Sequence, residues 1–442
     1  MARVIPVFSN FPRCSAGGTA LLFLCVATGL SAQNAIMSLP QETAVAPSQR
    51  QPGPPPESRP ASPIDTPFKL GDISVRPSLL YRYLNAEGLP VGSRRVASEI
   101  QTVAPGLQID LGQHWTINYA PTWTWYTARA LRDTTDQALS IAGAVTADDW
   151  KFQFTENYGK ASPTLIETAQ QTDETTWRTS LGASRSFGSQ VGVQLNASLN
   201  EHYGDVFPDT RQWSTQDWLT IKVTPQVEAR FGPGAGYIDI VGRPDMTFEK
   251  YLARLNWKVS DKLDLGLEGG MENRHSRASA GKDLRNPVLD ASLDYRPFTT
   301  TTLRMAYSRS VDATYFSDQV TKGSSWTIGL EQRLLGRLYL SANWSHAKST
   351  YEAVTVVAPI VVPPEVPTEP AAEPAADPTV GILLLSLPGR ADRIDLFNAR
   401  LTVQFLQRLT FAATFQKSKN DSSQSGFSFT SKQYGFELSC RY

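Results

Sequence analysis

The side chains able to do chemistry in this chain are scattered rather than gathered. Its four histidines, His114, His202, His275 and His346, stand far apart. A hydrolase would need one of them beside an activated hydroxyl, and no stretch around them has that setting. His114 falls at an expected short turn and the other three near the loop ends of expected strands, where a histidine is simply solvated. Glu268 and Glu272 lie two alternations apart on one expected strand and could line a cation site, but no loop has calcium-binding spacing. Gly232-Pro-Gly-Ala-Gly236 has a superficial likeness to a phosphate loop. It lacks the Lys-Ser/Thr and the strand–helix setting that would bind phosphate, so it reads as a turn. Of the three cysteines, Cys14 and Cys25 lie in the N-terminal segment and only Cys440 remains beyond it, which leaves no intrachain disulfide and no thiolate metal site. The pattern predicts neither an enzyme nor a holder of a cofactor or metal.

What does recur is an alternation of charge with grease. On a strand, successive side chains point to opposite faces. One row then carries Arg76 and Arg82, Lys151, Arg178, Lys222, Arg230, Arg254 and Lys258. The same row continues through Glu268, Glu272, Asp294, Arg304, Glu331, Arg333, Arg400 and Glu437. So many charges cannot stand in a dry core, because burying even a paired ion costs several kcal/mol. They call for water, and they are the candidate lining of an aqueous lumen. The plainer reading is that opposite charges on neighbouring strands pair and hold register, and it suits most of them.

The elements that would position this row are strands. From Ile73 onward hydrophobic and polar residues alternate over runs of about 9–13 residues, the length of a tilted membrane-spanning strand. Trp115, Ile117, Tyr119, Trp123 and Trp125 oppose Thr116, Asn118, Thr122 and Thr124. Val191, Val193, Leu195, Ala197 and Leu199 oppose Gln194, Asn196, Ser198 and Asn200. The helical period never competes. Tight turns are expected at 111–114, 146–149, 187–190, 231–234, 260–262, 297–299, 335–337 and 406–408. Longer polar loops alternate with them at 84–97, 127–136, 159–174, 201–214, 275–284, 311–322, 348–391 and 419–426, with a shorter link near 242–247. That alternation gives about 18 strands, or 16 if the weak stretches 98–110 and 235–241 do not span. An even number puts both ends on the short-turn side.

The flanks fit an exported chain. Arg3 and Arg13, the apolar run 19–26 and the mostly small residues 27–32, with Leu30 among them, have the three regions of a signal peptide, with cleavage after Ser31 or Ala32. The apolar run is far shorter than the ~20 residues a spanning helix needs. Residues 33–68 are rich in Pro, Gln, Ala and Ser, too polar to repay the entropy of ordering, and read as a disordered periplasmic lead. The barrel proper is then 69–442, with the Pro/Ala/Glu-rich stretch 348–391 as its one unusual loop. Lys plus Arg and Asp plus Glu are both 42, so no basic field suggests nucleic acid.

The fold expected is all-β: a single antiparallel up-and-down transmembrane barrel, closed because unpaired strand edges have no place in hydrocarbon. The chain stops on a strand whose one face is Tyr434, Phe436, Leu438, Cys440 and Tyr442. With that ending, the signal peptide, the Pro-rich lead and the stretch 236–257, it resembles the outer-membrane β-barrel porins of Gram-negative bacteria. The resemblance implies outer-membrane lipid around the barrel and recognition of the last strand, through Tyr434, Phe436, Leu438 and Tyr442, by the barrel-assembly machinery. It implies passage of small hydrophilic solutes or, alternatively, a non-conducting scaffold engaged by exported polysaccharide. No functional residue carries over from it.

Overall fold

The computed structural model describes residues 68–442 except 93, 165–170, 206–207, 243, 278–282, 314–319, 352–353, 362–379, 388, 407 and 442. The expected signal peptide, nearly all of the Pro-rich lead, the middle of the long loop and Tyr442 lie outside the described residues. Eighteen antiparallel strands close into one barrel. They are β1 (Ile73–Val91), β2 (Arg94–Leu111), β3 (Trp115–Tyr126), β4 (Thr134–Ala147), β5 (Trp150–Ala161) and β6 (Glu174–Phe187). Next come β7 (Val191–Gly204), β8 in two segments (Thr210–Gln216 and Trp218–Thr224), β9 (Val227–Ile240), β10 (Met246–Ser260), β11 (Leu263–Ser276) and β12 (Leu284–Phe298). The wall is completed by β13 (Thr301–Ala313), β14 (Val320–Leu335), β15 (Leu338–Tyr351), β16 (Arg390–Gln404), β17 (Leu409–Ser422) and β18 (Phe429–Arg441).

Each strand pairs with its neighbours in sequence, and β1 pairs with β18 from Ser78 opposite Arg441 to Glu87 opposite Lys432. That last pairing removes both free edges, so every wall strand finds main-chain partners on each side, as a lipid setting requires. Phe68–Leu70 extends the seam against Ile73–Val75. β15 and β16 are adjacent in register despite the long insert between them. The insert's own strands, Val354–Val361 and Val380–Leu387, pair with each other in a separate two-stranded sheet.

The two faces differ as the alternation predicts. On β18, Tyr434, Phe436 and Leu438 are exposed while Ser431, Gln433 and Glu437 are buried. A curved sheet spreads side chains on its convex side and crowds them on its concave side, so the exposed row is the outer surface. Leu79, Leu107, Trp115, Trp123, Trp177, Leu219, Phe231, Leu267 and Phe397 stand exposed in the corresponding rows. Short links at 112–114, 148–149, 188–190, 225–226, 261–262, 299–300, 336–337 and 405–408 lie at one end, together with both ends of the wall. At the other end β1 and β2 project as a hairpin, where Ala86, Leu89, Ile100 and Leu131 form a small apolar core.

Two sequence expectations give way. The stretch 84–97 is not a loop: β1 runs to Val91, β2 starts at Arg94, and two residues join them. Gly88, at φ 72°, sits where the register shifts between Ala86 and Leu89, so the breakers mark a bulge inside a long hairpin. Nor is 231–234 a turn. It lies within β9, and the turn is at 225–226. Pro233 has no N–H to give its neighbour, and β8 is interrupted opposite it, at Asp217. The Asp217 N–H still donates to the Pro233 carbonyl at 3.0 Å, and its carboxylate accepts the Asn196 N–H from β7 at 3.0 Å. The stretch 98–110 falls within β2, and 235–241 within β9 but for its last residue, Val241, which settles the count at the higher of the two values.

Candidate functional site on the inner face

The concave face is built by register. Along β10 and β11, Arg254 stands opposite Glu268 and Lys250 opposite Glu272. Arg254 Nε donates to Glu268 Oε2 at 2.5 Å. Lys250 Nζ lies 2.9 Å from Glu272 Oε2, while Arg274 holds the other oxygen of that carboxylate. Glu272 is 3% exposed, a burial that only its two cations make tolerable.

Beside this ladder stand two inward aromatic rings, Trp218 and Phe248, both buried. The Arg254 guanidinium lies 4.9 Å from the Trp218 ring centre, and the Lys250 ammonium 5.0 Å from that of Phe248. Each is within cation–π range. Room for the rings comes from β9. A Cβ on Gly232 would come within 2.8 Å of the Trp218 ring, and one on Gly236 would collide with the Phe248 ring. The Gly-Pro-Gly-Ala-Gly run is therefore a cradle for side chains of β8 and β10.

A second cluster spans the closing seam. Glu437 on β18 accepts from Arg82 Nε of β1 at 2.8 Å and lies 2.6 Å from Arg400 Nη2 of β16. Arg400 reaches it across β17, where the residue opposite Glu437 is the small Ala412. A cavity of about 160 Å³ adjoins these three residues, and its lining includes the amides Asn343, Asn398, Gln416 and Gln433. Asn343 Oδ1 and Gln416 Nε2 are buried there without a hydrogen-bond partner among the described residues, hydrogen-bonding capacity of the kind a hydroxylated solute or water uses.

The other expected residues take their places in the same inner row. Arg304 lies 3.3 Å from Asp294 and 2.5 Å from Glu331, Arg230 bonds Glu228 at 2.7 Å, and Arg76 pairs with Asp110. Arg178 stands opposite Asn157 and Asn200. Arg333 donates to the Gly336 carbonyl at 2.7 Å, at the short-turn end. Among the described residues, the acid Lys258 reaches is the exposed Asp261, at 3.4 Å. Lys151 and Lys222 are exposed near the turns at 148–149 and 225–226, with no ion pair among the described residues. Three participants escape a sequence reading limited to exposed-looking charges: Trp218, Phe248 and Arg390. The last lies 3.0 Å from Asp392 and between the rings of Tyr351 and Phe427. Parity alone could have found Trp218, which shares its face with Lys222.

The outer face also carries an acid away from its rims. Glu156, near the middle of β5, shares a face with Phe154 and Tyr158 and accepts the Thr179 hydroxyl at 2.6 Å.

No protein-family model matches the chain, and no curated protein matches its sequence. Solved structures are similar to it at the level of the fold. OccK11 (OpdR) of Pseudomonas aeruginosa aligns with 10% identity and a TM-score of 0.40, over 84% of this chain and 96% of that one. OccAB3 of Acinetobacter baumannii aligns with 9% identity and a TM-score of 0.43, over 84% and 100%. The siderophore receptor PirA of Pseudomonas aeruginosa aligns with 9% identity and a TM-score of 0.42, over 83% and 80%.

Proposed function

We propose that this chain is a passive outer-membrane pore for small hydrophilic solutes, its N-terminal lead in the periplasm and its longer loops outside. The observation that carries the reading is the inner face: Arg254–Glu268, Lys250–Glu272–Arg274, Arg82–Glu437–Arg400 and Asp294–Arg304–Glu331 line a closed wall. Charges at this density require water. A barrel of about eight strands is filled by its own side chains, whereas one of about 16–18 encloses an aqueous channel. The expected lining residues are therefore the surface that passing solutes meet. Because cations and acids alternate and largely pair, they set local hydration more than a single-sign barrier. The aromatic outer face of β18, Tyr434, Phe436 and Leu438, is the segment the assembly machinery would read.

Refolded protein in planar bilayers tests this directly. Discrete, ohmic conductance steps are expected, together with swelling of liposomes in isotonic monosaccharide. A barrel that inserts fully and passes neither ions nor sugar would sink the pore and leave a scaffold.

A further inference from the structure

The outer surface carries a second pattern, at the long-loop end of β12–β18. A row of outward aromatics crosses these strands: Tyr307 opposite Trp326 with ring centres 4.6 Å apart, then Trp344 opposite Phe397, then Phe415 opposite Tyr434. Such a row marks the boundary between hydrocarbon and headgroups. One or two alternations beyond it, on the same outward face, the residues become basic. Lys417 lies two past Phe415, Lys432 two before Tyr434, Lys348 four past Trp344 and Arg393 four before Phe397.

Their register is the telling feature. Lys417 stands directly opposite Lys432, and Lys348 directly opposite Arg393. Opposed side chains on one face are about 5 Å apart at Cβ, and like charges there repel. All four are exposed, and none makes an ion pair among the described residues. Nearby acids are mostly engaged: Asp395 with His346 at 2.8 Å and Asp421 with Lys419 at 2.5 Å. Asp421, opposite Arg393, is thus already paired, and Glu87, opposite Lys432, is the remaining carboxylate facing the four among the described residues. Further round, a cavity of about 380 Å³ is lined by Arg285, Arg309 and Lys322, with Asp283 at its edge; Asp283 is held by His275 at 3.0 Å. Around the rest of the rim, the outward positions include Glu99, Glu201, Asp239 and Glu249, beside Lys160 and Arg211. On the β12–β18 side the outward rim positions are thus mostly basic, whereas on the other side both signs are mixed.

We infer that this belt binds the phosphate groups of a phosphorylated glycolipid in the outer leaflet, one anion bridging each opposed pair of cations. The height fits, since the cations begin where the aromatic row ends. The charge fits, since an anion turns each repulsive pair into two charge-assisted contacts. The inference rests on the barrel standing in the outer membrane, but not on whether it conducts.

The test uses the full chain in detergent micelles, with diphosphoryl lipid A and the same lipid stripped of phosphate as probes, and native mass spectrometry counting retained lipid. Wild type should retain the phosphorylated lipid, and K348Q/R393Q/K417Q/K432Q should bind it about tenfold or more weakly, given the usual contribution of basic residues at an anionic surface. The stripped lipid should bind both equally weakly, and E201Q/E249Q on the acidic side should lose nothing. The pairs K348Q/R393Q and K417Q/K432Q, made separately, cover the case in which the fourfold variant fails to fold. Equal retention of both lipids, or of the phosphorylated lipid by wild type and variant, would overturn the inference. So would displacement of the lipid by millimolar inorganic phosphate alone, or a dimer that the four substitutions dissociate, which would hand the surface to a second copy. Unchanged conductance in the variants keeps this result separate from that of the pore.

Discussion

Glu437 shows how a single residue joins assembly to lining. It lies on the strand that closes the barrel, is 2% exposed, and holds Arg82 from the first strand and Arg400 from two strands back. Replacing it by Ala leaves two cations facing one another beside the seam. Breaking a buried ion pair from one side costs about 3–5 kcal/mol. Because Arg400 is 31% exposed and water screens it, the low end, about 3 kcal/mol, is the expected loss. Glu437→Ala should therefore lower the urea midpoint for unfolding from lipid vesicles, and Arg82→Leu added to it should restore part of the loss. A midpoint that does not move would mean that water in the lumen already neutralises the site. Only one side of this arrangement could be read from sequence. Alternation put Arg82, Arg400 and Glu437 on one face, but which cation meets which acid depends on the register of β1 on β18 and on Ala412 being small enough to reach across.

At the scale of elements, the long insert behaves as a module. Its strands pair with each other from Val354 opposite Leu387 to Val361 opposite Val380, while β15 and β16 pair as though it were absent. Deleting 352–386 should leave a barrel with unchanged heat-modifiable gel mobility. The insert leaves and rejoins the wall at the long-loop end, and on the expectation that it narrows that mouth, single-channel conductance should rise; a conductance equal to wild type would remove it from the ion path. The same scale shows where pattern reading succeeds and fails. Strong period-two runs such as 115–125 and 191–199 became strands where expected, because an apolar outer face and a polar inner face leave register little freedom. Gly and Pro misled. They usually punctuate chains, and on that rule 231–234 became a turn and 84–97 a loop. In β9 the glycines instead make room for Trp218, Gln216 and Phe248, and the proline is matched by an interruption of β8. Such uses depend on neighbouring strands, which the local sequence does not contain.

For the whole molecule, the balance of charge on the inner face decides what the pore would prefer. The chain is formally neutral, yet selectivity depends on charges that lack a counter-charge, not on totals. Arg254, Lys250, Arg274, Arg304 and Arg400 all lie against carboxylates, so their fields largely cancel within a Debye length of about 8–10 Å. Lys151 and Lys222 stand opposite Thr146 and Glu228, close to the short-turn end, and Glu228 is already bonded to Arg230. These two lysines give the mouth on that side a positive excess. Under a KCl gradient the wild-type pore should show a small reversal potential of anion-preferring sign, growing as the salt is diluted and screening weakens. K151E/K222E should carry it through zero to the cation-preferring side with little change in conductance at high salt. If reversal stayed where it was at low salt, the constriction would have to lie elsewhere, with the ion-paired ladder of β10 and β11 as the next wall to substitute.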